Sequence, residues 1–164
     1  SSFDSSLIEL RYSTHKWWAS NTTTSYNKEN QITEKSHKAL SDELYKFSKQ
    51  VITKNHKIEI KEIWANEYLE KEFQEVHFHP KSHFSFCIIH KRPEGSGNIR
   101  FLNPYEDVGF NHYNIAFKNF NFQAMPPQEE NTILIWPSYM KHMVTPGTNK
   151  TKRITYSGNF NIIL

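Results

Sequence analysis

The run Arg153-Ile154-Thr155-Tyr156-Ser157-Gly158-Asn159-Phe160-Asn161-Ile162 alternates from end to end. Successive side chains of an extended chain point to opposite faces. Ile154, Tyr156, Phe160 and Ile162 therefore share one face, and Arg153, Thr155, Ser157, Asn159 and Asn161 share the other. A helix would scatter both sets around its circumference, so this segment is committed to a strand with one apolar side. A solvent-facing strand would give the same pattern, although solvent faces usually favour long charged residues. One arginine among small hydroxyls and amides suits the lining of a polar pocket.

Other stretches follow the same rule. Ile58-Glu59-Ile60 and Tyr113-Asn114-Ile115-Ala116-Phe117 alternate, and Phe120 and Phe122 continue in the opposite phase, which predicts a bulge or bend near Lys118. Thr132-Ile133-Leu134-Ile135-Trp136 reads as a short buried strand. Pro93-Glu94-Gly95-Ser96-Gly97, Pro126-Pro127 and Pro146-Gly147 supply turns between the runs. An aromatic share of 15%, much of it in such runs, favours strands over a helical bundle. One helix is predicted, because Leu40, Leu44, Phe47 and Val51 fall on one face, with Thr33 as N-cap and Asn55 as the stop. Before it, Leu7, Ile8, Leu10, Tyr12, Trp17 and Trp18 are expected to give an edge strand and an aromatic plug, with a polar loop over Ser20–Ser25.

One helix followed by many short strands points to a mainly β fold. The best match is a double-stranded β-helix, or jelly roll, with at least one flanking α-helix. The 164 residues are enough for one such domain. Residues 1–56 would give the N-terminal loop, strand and helix support, and residues 57–164 the core strands.

Composition removes several function classes. The net charge is +3, but basic residues are dispersed among acids, without the clustered stripe of a nucleic-acid surface. The single cysteine, Cys87, rules out an intrachain disulfide and a cysteine-based zinc site. It sits in the apolar run Phe86-Cys87-Ile88-Ile89 and reads as a small buried hydrophobe. No stretch is long and apolar enough to span a membrane, and a reducing, cytoplasmic setting is the default expectation.

The chemistry concentrates on histidine. In Gln74-Glu75-Val76-His77-Phe78-His79-Pro80-Lys81-Ser82, His77 and His79 share a face if the segment is a strand, and Glu75 shares it too if the strand starts early enough. Imidazole suits iron, zinc, copper and nickel alike, so the pair does not choose a metal. His142 lies far along the chain, after the buried run and before a turn, where a barrel can aim a side chain inward. His83, His90 and His112 show that the chain also uses histidine freely. Arg153 follows His142 by eleven residues with a turn between. Two strands joined by that turn would set its guanidinium, a planar fork for carboxylates, deep beneath a metal.

The order Trp64-x-Asn66, His77-x-His79-Pro80-x-Ser82-x-x-Ser85, Phe101-x-x-Pro104, Trp136-Pro137-Ser138 with His142, and Arg153 with Asn159 resembles the 2-oxoglutarate- and Fe(II)-dependent oxygenases of marine bacteria and phages. The resemblance covers roughly the C-terminal two thirds of the chain. It implies a jelly-roll core, Fe(II), and 2-oxoglutarate as cosubstrate. His77 and His142 would be iron ligands, with His79 the third. The wider superfamily places a carboxylate at the position of His79, which keeps Glu75 as its alternative. Arg153 would bind the distal carboxylate of 2-oxoglutarate with Thr155 beside it, and Ser85 and Asn159 would join the cofactor-binding set. Phe86 stands where this family often has glycine, and Asn103-Pro104 where it usually has Asp-Pro. Trp64, Tyr105 and Trp136 are candidates to wall the site.

The implied reaction is oxidative decarboxylation of 2-oxoglutarate coupled to C–H oxidation, most simply hydroxylation, of a small molecule or a protein residue. Two alternatives use the same fold. A cupin-like metalloprotein of another activity would keep the histidines without needing Arg153, and a non-enzymatic jelly-roll binding module would need neither.

Overall fold

The computed structural model describes residues 1–17, 22–104 and 123–164. The strand expected at Tyr113–Phe117, the bend near Lys118, Phe120 and Phe122, the wall residue Tyr105, the plug residue Trp18, His112, and Ser20 and Asn21 of the polar loop lie outside the described residues.

A short 3-10 turn, Ser5–Leu7, precedes β1 (Leu10–Arg11), β2 (His15–Lys16), β3 (Thr23–Thr24) and β4 (Gln31–Ile32). Helix α1 (Glu34–Val51) follows, then β5 (Lys57–Tyr68), β6 (Gln74–His77), β7 (Phe84–Lys91), β8 (Ile99–Leu102), β9 (Gln123–Ala124), β10 (Thr132–Pro137), β11 (His142–Val144) and β12 (Arg153–Ile163). A large antiparallel sheet has the order β10-β7-β12-β5-β3-β2, and a smaller one the order β6-β11-β8-β9. Strands β1 and β4 form a separate ribbon. This is the mainly β architecture expected from the alternating runs, and the N-terminal segment supplies an edge strand, β2, at His15–Lys16, while Leu10 falls in the separate β1–β4 ribbon.

The large sheet is covered on both faces. On one, α1 and the 3-10 turn enclose Phe3, Leu40, Leu44, Ile63, Phe86, Ile88, Tyr156 and Phe160. On the other, Tyr68, Cys87, Ile89 and Trp136 meet Ile99, Phe101 and Val144 of the small sheet. That is why Ser85–Ile89 of β7 is an unbroken buried run, and why Cys87 is the buried hydrophobe expected of it. β12 divides as its sequence dictates. Ile154, Tyr156, Phe160 and Ile162 pack toward the helix, while Arg153, Thr155 and Ser157 face the small sheet.

Thr33 caps α1 through its side chain, which accepts from the Ser36 backbone N–H. The helix ends at Val51, with Ile52 as C-cap rather than at Asn55. Val51 is 52% exposed. The buried stripe stops at Phe47, and Ile52, just past the helix end, takes the last packing position. β10 also differs from its expected form. It lies at the edge of the large sheet, so only Ile133 and Trp136 are buried while Leu134 and Ile135 are half-covered.

Phe86 and Gly158 are cross-strand partners on β7 and β12. A Cβ on Gly158 would lie 2.4 Å from the Phe86 ring and 2.5 Å from the Glu62 carbonyl oxygen. The residue where the family often has glycine is thus seated over a glycine on the neighbouring strand, inside the helix-side core. Gly158→Ala should cost about 1–3 kcal/mol by overpacking, measured as a lower midpoint in urea unfolding with an unchanged slope.

Candidate metal and cosubstrate centre

His77 is the last residue of β6 and pairs across the small sheet with His142, the first residue of β11. Directly opposed residues of an antiparallel pair put their side chains on one face, and the two ring centroids are 4.2 Å apart. Each ring is clamped by a carbonyl two residues earlier. His77 Nδ1 lies 2.7 Å from the Glu75 oxygen, and His142 Nδ1 lies 3.0 Å from the Met140 oxygen. A carbonyl only accepts, so Nδ1 carries the proton in both rings and the Nε2 lone pairs are free to bind a metal.

His79 arrives differently from the sequence expectation. β6 ends at His77, so the pair does not lie on one strand. Instead the His79 backbone N–H donates to the Ser138 carbonyl at 2.9 Å, and this bond folds the ring back over the site. His79 Nε2 then stands 3.3 Å from His142 Nε2, with the rings stacked at 15°. One ligand nitrogen from each of the three histidines lies within 4.8 Å of the others. Two ligands of one ion at right angles, with bonds of about 2.1 Å, would be separated by roughly 3 Å, so the arrangement fits a single metal. Burial pulls all three imidazoles below their ordinary value, His79 to about 4 and His142 to about 3, with the neighbouring His77 adding to both shifts. They are neutral at physiological pH, as ligands must be.

Glu75 does not join this cluster. The register slips between His142↔His77 and Val144↔Gln74, so β6 carries one extra residue and the period-two rule breaks inside it. Gln74 and His77 both line the inner cavity, and Glu75 lines the outer cleft.

Arg153 reaches the same cavity from the opposite sheet. His142 belongs to the small sheet and Arg153 to the large one, so the turn between them crosses the sandwich instead of closing a hairpin. Arg153 is 1% exposed, and its Nε and both terminal nitrogens have no hydrogen-bond partner among the described residues. The guanidinium carbon lies 5.0 Å from the centroid of the Tyr68 ring, and the Tyr68 hydroxyl donates to Gln74 Oε1. Burial lowers the affinity of Arg153 for its proton and raises that of Tyr68. Thr155, on the same face of β12, lines the cavity as well. A buried guanidinium with all its donors open is costly unless an anion meets it, which is the role a carboxylate would fill.

The other two predicted cofactor residues lie elsewhere. Ser85 and Asn159 form a chain behind His79. The Ser85 hydroxyl donates to Asn159 Oδ1 at 2.7 Å and contacts the Ser138 hydroxyl at 2.8 Å. Asn159 Nδ2 donates to Glu62 Oε1 at 2.6 Å and lies 3.4 Å from His79 Nδ1. Glu62, Tyr68 and Gln74 carry no motif signal in the sequence, and Ser138 carries only its place in the Trp136-Pro137-Ser138 run. Of the expected walls, Trp64 and Trp136 line the inner cavity. Beside it opens a cleft of about 470 Å³, whose lining includes Trp17, Tyr26, Trp64, Glu62 and Phe78.

Three neutral imidazoles aimed at one point and a buried arginine without a hydrogen-bond partner among the described residues form a constellation for a divalent metal and a chelating carboxylate. A family whose sequence model is described as "Putative 2OG-Fe(II) oxygenase" matches residues 62–159. The chain belongs to this family. It is accordingly an Fe(II)- and 2-oxoglutarate-dependent dioxygenase. No curated protein sequence matches the chain. Among solved structures, it is similar to a 2OG-Fe(II) oxygenase-family oxidoreductase from Burkholderia pseudomallei, at 12% identity and TM-score 0.60, covering 92% of this chain and 72% of that one. It is similar to HygX from Streptomyces hygroscopicus, solved with nickel, 2-oxoglutarate and hygromycin B, at 8% identity and TM-score 0.61, covering 92% and 74%. It is also similar to the viral collagen prolyl hydroxylase of Paramecium Bursaria Chlorella virus-1, solved as its 2OG complex, at 12% identity and TM-score 0.55, covering 93% and 81%. At these identities the likeness concerns the fold, the jelly roll shared by the oxygenases.

The depressed imidazoles fix the sign of a pH effect in the metal-stripped enzyme. Unfolded histidine protonates near 6.5, whereas His79 and His142 resist until about 4 and 3. Between these limits the unfolded chain binds more protons than the folded one, so stability is full above 6.5 and is lost as pH falls. The melting temperature should drop steadily from pH 6.5 to 4, and His142→Leu should flatten that slope.

Proposed function

We propose that His77, His79 and His142 hold the iron and that Arg153, supported by Thr155, binds the distal carboxylate of 2-oxoglutarate. The observation that carries this reading is the pairing of Arg153, buried with its donors free of hydrogen bonds among the described residues, with the histidine cluster in one cavity. When bound, iron with 2-oxoglutarate supplies oxidative decarboxylation to succinate and carbon dioxide, and with it the power to oxidise a C–H bond.

The protein's share is binding, orientation and exclusion of water. The Glu75 and Met140 carbonyls hold the His77 and His142 rings in the ligand tautomer. Arg153 fixes the cosubstrate at the end away from the metal, and the Tyr68 ring beneath the guanidinium restricts its swing. Trp136 and Phe101 pack around His142 and keep bulk water off that side. The cleft along Trp64 and Tyr26 gives the substrate access to the His79 side, and the outcome there is hydroxylation of a small molecule or a protein residue. Ser85 and Asn159 act on His79 rather than on the cosubstrate.

In the same reading, residues 1–164 form a single oxygenase domain, with residues 1–56 bracing the large sheet. No helix among the described residues is long and apolar enough to cross a membrane. A cytoplasmic setting, and an origin among the marine bacterial and phage members, rest on the lone buried Cys87 and on the His-x-His-Pro-x-Ser run respectively.

Arg153→Ala should raise KM for 2-oxoglutarate about 10- to 100-fold, the scale of a lost charge-assisted hydrogen bond, while Co(II) affinity stays unchanged. Fe(II)-dependent succinate formation reads the first and calorimetric titration the second. An unchanged KM would remove Arg153 from the cosubstrate site.

A further inference from the structure

The third histidine differs from the other two in what holds it. His77 and His142 each give Nδ1–H to a main-chain carbonyl, and His79 Nδ1 faces a side-chain amide. Which end of that amide it meets is decided by Glu62. Asn159 and Glu62 are cross-strand partners on β12 and β5, and the amide nitrogen sits 2.6 Å from the Glu62 carboxylate. A carboxylate only accepts, so turning the amide over would set two oxygens against each other. The Ser85 hydroxyl on the far side imposes no such choice, since it can donate to the oxygen or accept from the nitrogen. The second amide hydrogen of Asn159 is thereby left for His79 Nδ1, which must accept. A neutral His79 then carries its proton on Nε2, the atom that faces His142 Nε2.

We propose that Glu62, acting through the Asn159 amide, makes His79 a conditional iron ligand, whereas His77 and His142 are preset ligands. The proposal rests on the reading that these histidines bind the metal. Glu62 is a positioning residue, since it touches neither the metal nor the cosubstrate. Coordination by His79 requires its proton to leave Nε2, and the Glu62–Asn159 pair opposes this by offering Nδ1 a donor instead of an acceptor. In Glu62→Gln that opposition ends. The amide of residue 62 can donate to an inverted Asn159, whose oxygen then accepts from His79 Nδ1–H, while its nitrogen donates to Ser85.

Long-range proton–nitrogen correlation spectra of the metal-stripped wild-type enzyme read the tautomers directly. The expected result is Nδ1–H for His77 and His142 and Nε2–H for His79. Nδ1–H at His79 would overturn the proposal without recourse to any variant. Co(II) titration of Glu62→Gln should show affinity tightened roughly tenfold, the lower end of the range for partners of metal ligands. Its paramagnetic NMR spectrum should gain one shifted imidazole N–H signal relative to wild type. Weakened or unchanged affinity in a folded Glu62→Gln would also overturn it. Failure of the underlying reading would look different: His142→Ala would then leave Co(II) affinity intact.

Discussion

Strand β12 is hydrogen-bonded along both edges, to β5 and to β7, and this double pairing holds the rest of the site in place. A slip of one residue would exchange its faces, turning Arg153 and Thr155 into the apolar core and Tyr156 and Phe160 into the cavity. Neither exchange is tolerable. One buries a cation in hydrocarbon, and the other fills a polar pocket with rings. The apolar face of β12 thus fixes where Arg153 stands, by packing against a helix that never touches the site.

The histidines depend on a shorter device. β11 has only three residues, yet it lies between β6 and β8, and its first residue is opposite His77. Ser138, fully buried just before it, then joins three parts of the site. Its carbonyl holds the backbone of His79, its hydroxyl meets Ser85, and its own N–H donates to the His83 carbonyl. The Pro-Ser run is therefore a clamp that ties His79 and His83 to β7.

Much of this was legible in the sequence, and what was legible was periodic or capped. The two faces of β12, the helix with its Thr33 cap and the burial of Cys87 follow from spacing and run composition, and the motif names His77, His79 and His142 together although the route of His79 to the site is not periodic. The misplacements arise where the chain departs from period. β6 carries an extra residue, so the period-two rule points Glu75 to the inner face that Gln74 occupies. The His-x-His spacing puts His79 on a strand that stops two residues short of it. The spacing from His142 to Arg153 suggests a hairpin, because nothing in a sequence states that a turn crosses between sheets. The resemblance joins Ser85 and Asn159 to the cosubstrate set, and no spacing rule shows that Asn159 stands 3.4 Å from His79 Nδ1 with Ser85 bonded behind it.

The carbonyl clamps on His77 and His142 have a consequence for how such a site can vary over time. Their partners are main-chain oxygens of Glu75 and Met140, and every amino acid supplies that oxygen. No single codon change at either position can delete the partner, so these two ligands are insulated from drift in the residues that orient them. His79 leans on the side chain of Asn159, which a single base change can replace. Inheritance can therefore retune one ligand of the three while leaving the other two as they are.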